Sequence, residues 1–131
     1  MPFVNADLSN LVVLVVDDDP DSRELLHRLL CDCGATVITA ASAAEALIAK
    51  DKQRPDILIS DIGMPEIDGY QLLRSLRANG EVRFPAIALT AFARSEDRTR
   101  ALLAGYVAHV SKPVEPAELI ATVAAVSGRV G

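Results

Sequence analysis

The sequence predicts one α/β domain, a doubly wound five-stranded parallel β-sheet with helices on both faces. Segments with strand and helix character alternate along the chain, and their short connections favour parallel strands joined by right-handed crossovers. The first strand, residues 11–16, is apolar throughout, which is typical of a strand buried on both faces. The chain has 131 residues, of which 50% are hydrophobic. That is enough for one domain with its own core.

The alternation runs through the whole chain after a short N-terminal segment. The predicted strands are runs rich in aliphatic residues, at residues 11–16, 36–40, 56–60, 85–90 and 107–110. The predicted helices follow them in turn, at residues 20–33, 43–51, 70–78, 95–104 and 116–127. Residues 1–10 show no clear period, so we expect a leader or linker there and a domain over residues 11–128.

Capping patterns mark the ends of the first two helices. Asp19 followed by Pro20 is typical of a helix N-cap with proline at the first helical position. Gly34 is suited to the left-handed residue that ends a helix. Ser42 and Glu45 have the spacing of a capping box, which predicts the start of the second helix.

Similar patterns mark the later helices. Asn79 and Gly80 are expected to end the third helix, and Ser95 to start the fourth. Gly105 closes the fourth helix in this interpretation, and Pro116 opens the last one. The chain therefore has stop and start signals between each pair of predicted elements.

Polar residues collect where four of the five predicted strands end. Asp17 and Asp18 follow the first strand, Asp61 follows the third, Thr90 ends the fourth, and Lys112 comes just after the fifth. In open α/β sheets the ligand site lies beyond the carboxyl ends of the strands, near the point where strand order reverses. These residues are therefore the candidate site.

The second strand differs from the others because it ends in Ala40 and Ala41, which offer no polar side chain. A strand with nothing to contribute to the site suits the edge of the sheet, and strands one and three then become central neighbours. The pattern predicts the strand order 2-1-3-4-5.

The three predicted site carboxylates would repel one another. Two unit charges about 4 Å apart cost on the order of 4 kcal/mol at an effective dielectric of about 20. Either one pKa is raised or a hard cation binds, and a set of carboxylate oxygens with room for water suits Mg²⁺. Lys112 would add a fixed cation and Thr90 a hydroxyl donor, which together suit a phosphoryl group.

Four motifs in this order resemble those of the bacterial response-regulator receiver domain. They are Val-Val-Asp-Asp-Asp-Pro, Ser-Asp-Ile-Gly-Met-Pro-Glu-Ile-Asp-Gly around Asp61, Ala-Leu-Thr-Ala around Thr90, and Ser-Lys-Pro around Lys112. The resemblance covers roughly residues 10–127 and implies the flavodoxin-like receiver fold.

The resemblance also implies a role for each site residue. Asp61 would accept a phosphoryl group from a phosphohistidine, Lys112 would contact the phosphoryl oxygens, and Thr90 would turn toward them after modification. A second set would hold the metal. It consists of the acid pair Asp17 and Asp18, the phosphoacceptor Asp61 and the carbonyl of Gly63, with Mg²⁺ as the cofactor.

The implied function is that of a phosphoacceptor in a two-component phosphorelay. A histidine kinase or a phosphotransfer domain would be the donor, and the chain itself would catalyse at most its own phosphorylation and dephosphorylation. The segments around Asp61 and Lys112 are most similar to receivers attached to hybrid sensor histidine kinases, so the chain is also expected to suit a receiver that acts in cis with its kinase.

The last strand and the helices beside it form the expected output face for a downstream protein. In the family an aromatic residue stands three positions before the lysine, and this chain has His109 there. An imidazole is smaller than the ring of tyrosine and can carry a charge, so either the switch depends on pH or the output surface works differently. Ala101, Leu102, Val107 and Val110 are predicted to be core residues.

Charge and hydropathy exclude other classes of protein. The formal net charge is −5, whereas a protein that binds the nucleic-acid backbone needs clustered positive charge. The longest apolar run, six residues at 11–16, is too short for a membrane helix or a signal peptide. We therefore expect no contact with nucleic acid or membrane, and a cytoplasmic location.

One rival enzyme class also uses an aspartate nucleophile, a hydroxyl residue and a lysine on a doubly wound sheet. It is the haloacid-dehalogenase-like phosphatase, in which Asp17 would be the nucleophile and Asp19 the acid. That class needs a late acidic pair for Mg²⁺, but no aspartate occurs after Asp97. The sequence therefore favours the phosphoacceptor.

Overall fold

The computed structural model describes residues 6–64, 68–77, 84–91 and 95–128. The predicted end of the third helix at Asn79 and Gly80 lies outside the described residues. So does part of the segment between Gly63 and Gly69.

Five parallel strands form one sheet in the order β2-β1-β3-β4-β5, which confirms the predicted topology. The strands are β1 (Val12–Val16), β2 (Thr36–Ala40), β3 (Ile57–Asp61), β4 (Ala86–Thr90) and β5 (Ala108–Ser111). The interior strand β1 pairs with both β2 and β3, for example Leu14 with Ile38 and with Leu58. The carboxyl ends of β1 and β3 therefore lie side by side.

A helix follows each strand, as predicted. The helices are α1 (Pro20–Asp32), α2 (Ala43–Lys52), α3 (Gly69–Leu76), α4 (Ser95–Ala104) and α5 (Pro116–Val126). Asp19 caps α1 by accepting a hydrogen bond from the Asp21 N–H, 3.1 Å away. Gly34 and Gly105 have φ values of +96° and +112°, which confirms the left-handed helix ends.

Strand β3 starts and ends one residue later than predicted. At its start, Asp56 bonds to β1 twice: its N–H donates to the Val12 carbonyl at 2.7 Å, and its Oδ2 accepts from the Val12 N–H at 2.8 Å. The paired register begins one residue later, with Ile57 opposite Val13. At the other end Asp61 pairs with Leu89, so the aspartate is the last strand residue.

Two apolar clusters cover the two faces of the sheet. Val13 and Val15 of β1 pack on one face, with residues of α1 and α5, and Leu14 and Val16 pack on the other, with residues of α2, α3 and α4. Alternate side chains of a strand point to opposite faces. Both faces of β1 are therefore buried, in agreement with its apolar sequence.

Three side chains lie where the sequence did not predict them. Leu8, within the expected leader, is fully buried, and its N–H donates to the Cys33 carbonyl at 2.8 Å. Leu102 and Val107, which were predicted to be core, are 62% and 54% exposed. Their apolar character could not distinguish the inner from the outer side of α4 and the turn after it.

Candidate functional site

The residues that follow or end strands β1, β3 and β5 meet at one edge of the sheet. Lys112 Nζ lies 2.9 Å from Asp17 Oδ2 and 3.4 Å from Asp61 Oδ2. Asp17 is fully buried and Asp61 is 7% exposed, so these charges lie largely out of water. The structure thus brings the predicted lysine and two of the predicted carboxylates into direct contact.

Asp18 completes a group of three carboxylates. One oxygen each of Asp17, Asp18 and Asp61 lies within 4.8 Å of the other two. Asp18 is exposed, which leaves one side of the group open to solvent. Hard oxygen donors with room for water are the ligands that Mg²⁺ prefers. The residues therefore fit a divalent cation, which would offset their mutual repulsion.

Backbone donors orient the two inner carboxylates. Asp17 Oδ1 accepts from the Asp19 N–H at 3.0 Å, and Asp61 Oδ1 accepts from the Gly63 N–H at 3.1 Å. In both residues the other oxygen, Oδ2, is the one that contacts Lys112. The turns after β1 and β3 therefore hold both carboxylates toward the lysine.

The site shifts the pKa of both Asp61 and Lys112. Burial is the main cause that raises the pKa of Asp61, and the charge of Asp17 adds to it, against the opposing effects of Lys112 and the Gly63 N–H. Burial alone would lower the pKa of Lys112, but its contacts with Asp17 and Asp61 outweigh burial and raise it. Lys112 therefore carries its positive charge at neutral pH.

Thr90 is the last residue of β4 and lies beside Lys112. The Lys112 N–H donates to the Thr90 carbonyl at 2.8 Å, which joins the ends of β4 and β5. Thr90 lines the same cavity as Asp61, Gly63 and Lys112. The structure therefore brings together all the predicted site residues, and the roles assigned to them remain predictions.

The cavity beside Asp61 has a volume of about 270 Å³. It has a second wall, which the sequence did not predict. Tyr70 of α3 and Asp97 and Arg100 of α4 form this wall. The guanidinium carbon of Arg100 lies 4.3 Å from the centre of the Tyr70 ring. No motif predicts this wall, because it depends on how α3 packs against α4.

Tyr106 supports this wall from the core. Its ring meets Tyr70 edge to face, with ring centres 6.5 Å apart. Its hydroxyl donates to the Gly69 carbonyl at 2.5 Å. Burial raises the pKa of Tyr106, so the hydroxyl stays protonated and able to donate. Tyr106 also lines a groove of about 150 Å³ with His109, Leu102 and Val107.

We expect Tyr106→Phe to lower the free energy of unfolding by about 1–3 kcal/mol, because the buried Gly69 carbonyl loses its hydroxyl donor. Urea denaturation measures the change. Thr122→Ala is the control, since it removes a hydroxyl that bonds the Glu118 carbonyl on an exposed helix surface. That change should cost less than about 0.5 kcal/mol. Equal stability of Tyr106→Phe and the wild type would contradict the assigned bond.

The site can be compared with known proteins. Residues 13–124 match the model of the family described as "Response regulator receiver domain". An uncharacterized 14.6 kDa protein of Leptolyngbya boryana is 50% identical over 115 residues, which are 86% of this chain and 87% of that protein. The sensor histidine kinase RcsC of Escherichia coli is 38% identical over 109 residues, which are 83% of this chain and 11% of the kinase.

Solved structures agree with the sequence relatives. The chemotaxis protein CheY4 of Vibrio cholerae superimposes with a TM-score of 0.84 at 32% identity, over 88% of this chain and 98% of that one. Among the described residues, no helix has the length and apolar character needed to cross a bilayer. The match of family, fold and strand-end residues leads to one conclusion: the chain belongs to the response regulator receiver domain family of two-component systems.

Proposed function

We propose that Asp61 accepts a phosphoryl group from a phosphohistidine of a histidine kinase or phosphotransfer domain, in a reaction that requires Mg²⁺. The observation that carries the proposal is the position of Lys112 Nζ, 2.9 Å from Asp17 and 3.4 Å from Asp61. Asp61 and the ammonium of Lys112 line one cavity, into which a donor can enter. This arrangement suits the acceptance of a charged group rather than the packing of a core.

In the proposed reaction a carboxylate oxygen of Asp61 attacks phosphorus. A bond forms between that oxygen and phosphorus, and the phosphorus–nitrogen bond of the donor breaks with the imidazole as the leaving group. The product is an acyl phosphate on Asp61. Mg²⁺, when held by Asp17, Asp18, Asp61 and the Gly63 carbonyl, would supply charge neutralisation and alignment of the phosphoryl oxygens.

Lys112 and Thr90 take part without changing covalently. The ammonium of Lys112 neutralises charge on the transferring group, since it already lies at the oxygen that would carry it. Phosphorylation adds about −1.5 to −2 charges and three acceptor oxygens next to the Thr90 hydroxyl. A Thr90 conformer turned toward the phosphoryl group is then favoured, and β4 and β5 carry the change to the face that includes His109.

The phosphatase alternative is weakened by the position of Asp19. Its carboxylate caps α1 by accepting from the Asp21 N–H and from the Ser22 hydroxyl, each at 3.1 Å. The second acid of that mechanism must be able to exchange a proton with the substrate. Both carboxylate oxygens of Asp19 already accept hydrogen bonds at the start of α1, which does not suit an acid that exchanges a proton. The phosphoacceptor function is therefore favoured over the phosphatase.

The identity to part of RcsC supports a receiver that works beside a kinase, either in the same chain or in a separate one. We propose residues 11–128 as the receiver unit and the phosphorelay donor as its partner. The face formed by α4, β5 and α5 is proposed to contact the downstream protein.

Incubation with acetyl phosphate and Mg²⁺, followed by intact-protein mass measurement, tests the proposal. The wild type should gain one phosphoryl group, Asp61→Asn should gain none, and chelation of Mg²⁺ should prevent the gain. Asp61→Asn should fold, because burial disfavours the charge that the amide lacks. Its melting temperature in Mg²⁺-free buffer should equal or exceed that of the wild type. Equal labelling of both proteins would contradict the assignment of Asp61, and labelling that does not depend on Mg²⁺ would contradict the metal site.

A further inference from the structure

We propose that Arg100 selects the phosphoryl donor, by holding the acyl oxygen of a small acyl phosphate at the mouth of the Asp61 cavity. The inference rests on the proposed function and deepens it. Three observations carry it: the position of Arg100 in the cavity wall, the rigidity of its support, and the negative charge around Asp61.

Arg100 shares the cavity with the proposed reacting groups. Its side chain lines the same space of about 270 Å³ as Asp61, Thr90 and Lys112. The ammonium of Lys112 is already engaged by two carboxylates, whereas the guanidinium of Arg100 stacks on the ring of Tyr70. A guanidinium on an aromatic face keeps N–H donors in its own plane, and these can bind an incoming oxygen.

The platform under Arg100 is anchored in the core. Tyr70 is 6% exposed and packs edge to face on Tyr106, which is 2% exposed. Tyr106 is in turn fixed by its hydrogen bond to the Gly69 carbonyl. This support restricts the guanidinium to the cavity wall, so less conformational freedom is lost when it binds a donor than for an unsupported arginine.

The negative charge around Asp61 opposes the entry of an anionic donor, and a guanidinium can offset it. Asp61 lines the cavity, and Asp17 and Asp18 lie next to it, each with a carboxylate oxygen within 4.8 Å of the others. Acetyl phosphate brings about two further negative charges. Asp97 in the same wall adds a further negative charge. A cation at the mouth lowers the cost of bringing an anion past these groups. Arg100 lines the cavity from α4, whereas the carboxylates are held at the ends of β1 and β3, and so we assign to Arg100 the leaving group of the donor.

The proposed step balances without proton transfer to Arg100. The Asp61 oxygen forms a bond to phosphorus, the bond between phosphorus and the acyl oxygen breaks, and a carboxylate leaves with the electron pair. Arg100 donates hydrogen bonds to that carboxylate as its charge develops. Phosphoramidate, whose leaving group is ammonia, offers no such acceptor. Arg100 should therefore favour acetyl phosphate over phosphoramidate.

The chain offers a matched control for the test. Arg98 lies two residues away on α4, is also exposed, and lines the groove beside His109 rather than the Asp61 cavity. Arg98→Gln and Arg100→Gln change the net charge equally. Their comparison therefore separates a contact in the cavity from the general field of the protein.

The experiment measures the rate of phosphoryl gain by intact mass with each donor, at limiting donor concentration and saturating Mg²⁺. Arg100→Gln should slow the reaction with acetyl phosphate about 3- to 10-fold and the reaction with phosphoramidate less than about 2-fold. Arg98→Gln should leave the ratio of the two rates unchanged. The ratio is the deciding measurement, because a purely structural change would slow both donors alike.

Two results would overturn the inference. An unchanged rate ratio in Arg100→Gln would show that the guanidinium does not act on the leaving group, even if Asp61 is still phosphorylated. The same change of ratio in Arg98→Gln would assign the effect to net charge. If the wild type gains no phosphoryl group from either donor, the proposed function itself fails and this inference fails with it.

Discussion

Replacement of Lys112 by methionine is expected to slow phosphorylation of Asp61 about 10²-fold or more, the cost of removing one preorganised charge from a reacting site. The ammonium lies 3.4 Å from Asp61 Oδ2, so it is in place before the donor arrives. Methionine fills a similar volume without charge. The rate with acetyl phosphate at saturating Mg²⁺, followed by intact mass, measures the loss.

The same substitution should also change stability and metal binding. It leaves fully buried Asp17 and nearly buried Asp61 without their shared cation. Removing one partner of a fully buried ion pair costs about 3–5 kcal/mol. The Lys112 side chain is 21% exposed, so we expect a smaller cost of about 1–3 kcal/mol in Mg²⁺-free buffer. Added Mg²⁺ should raise the melting temperature of the variant more than that of the wild type, because the metal then neutralises both carboxylates.

Lys52→Met is the matched control for these effects. Lys52 ends α2, is exposed, and makes the same change of net charge on substitution. It should leave the phosphorylation rate and the Mg²⁺-dependent shift in melting temperature unchanged. Wild-type stability and rate in Lys112→Met would contradict the role of the ammonium in the site.

The strand ends explain why much of the site could be predicted from sequence. Asp17, Asp61 and Lys112 each come at or just after the end of a predicted strand, and a parallel sheet brings the carboxyl ends of its strands to one edge. Local chain signals also located α1, since Asp19 and Pro20 act within one helical turn. These features depend only on neighbouring residues and on one rule of sheet topology, so they can be predicted from one amino-acid sequence.

The other wall of the cavity could not be predicted in this way. Tyr70 and Arg100 are thirty residues apart, and their contact depends on the rotation of α3 and α4 about their axes. The exposure of Leu102 and Val107 has the same origin, because several apolar side chains on α4 and in the turn after it compete for the inner side and only packing decides among them. Burial of Leu8 likewise depends on a backbone bond to Cys33 that no local period reveals.

Replacement of Gly69 by alanine is expected to lower the free energy of unfolding by about 1–3 kcal/mol or more, the range for an added methyl group in a packed region. A Cβ on Gly69 would lie 2.7 Å from the Asp61 carbonyl oxygen and 2.9 Å from Ile62 Cα. These are backbone atoms, which cannot move aside as the end of a side chain can. Either α3 or the backbone beside the phosphoacceptor must shift.

The displacement should affect the site as well as the fold. The Gly69 N–H donates to the Ile62 carbonyl at 3.1 Å, so a shift of α3 disturbs the residue that follows Asp61. We therefore expect slower phosphorylation of Gly69→Ala even at temperatures where circular dichroism shows it to be folded. A stable variant with the wild-type rate would contradict the close approach.

Gly63→Ala separates this clash from a general effect of replacing glycine near Asp61. Among the residues that the structure describes, none has an atom within 4 Å of a Cβ built on Gly63. Alanine there removes backbone freedom from the unfolded chain without a steric cost in the fold, so the melting temperature should stay the same or rise. Equal losses of stability in the two variants would mean that the segment after β3 rejects any side chain, and that the contact between Gly69 and the Asp61 backbone is not the cause.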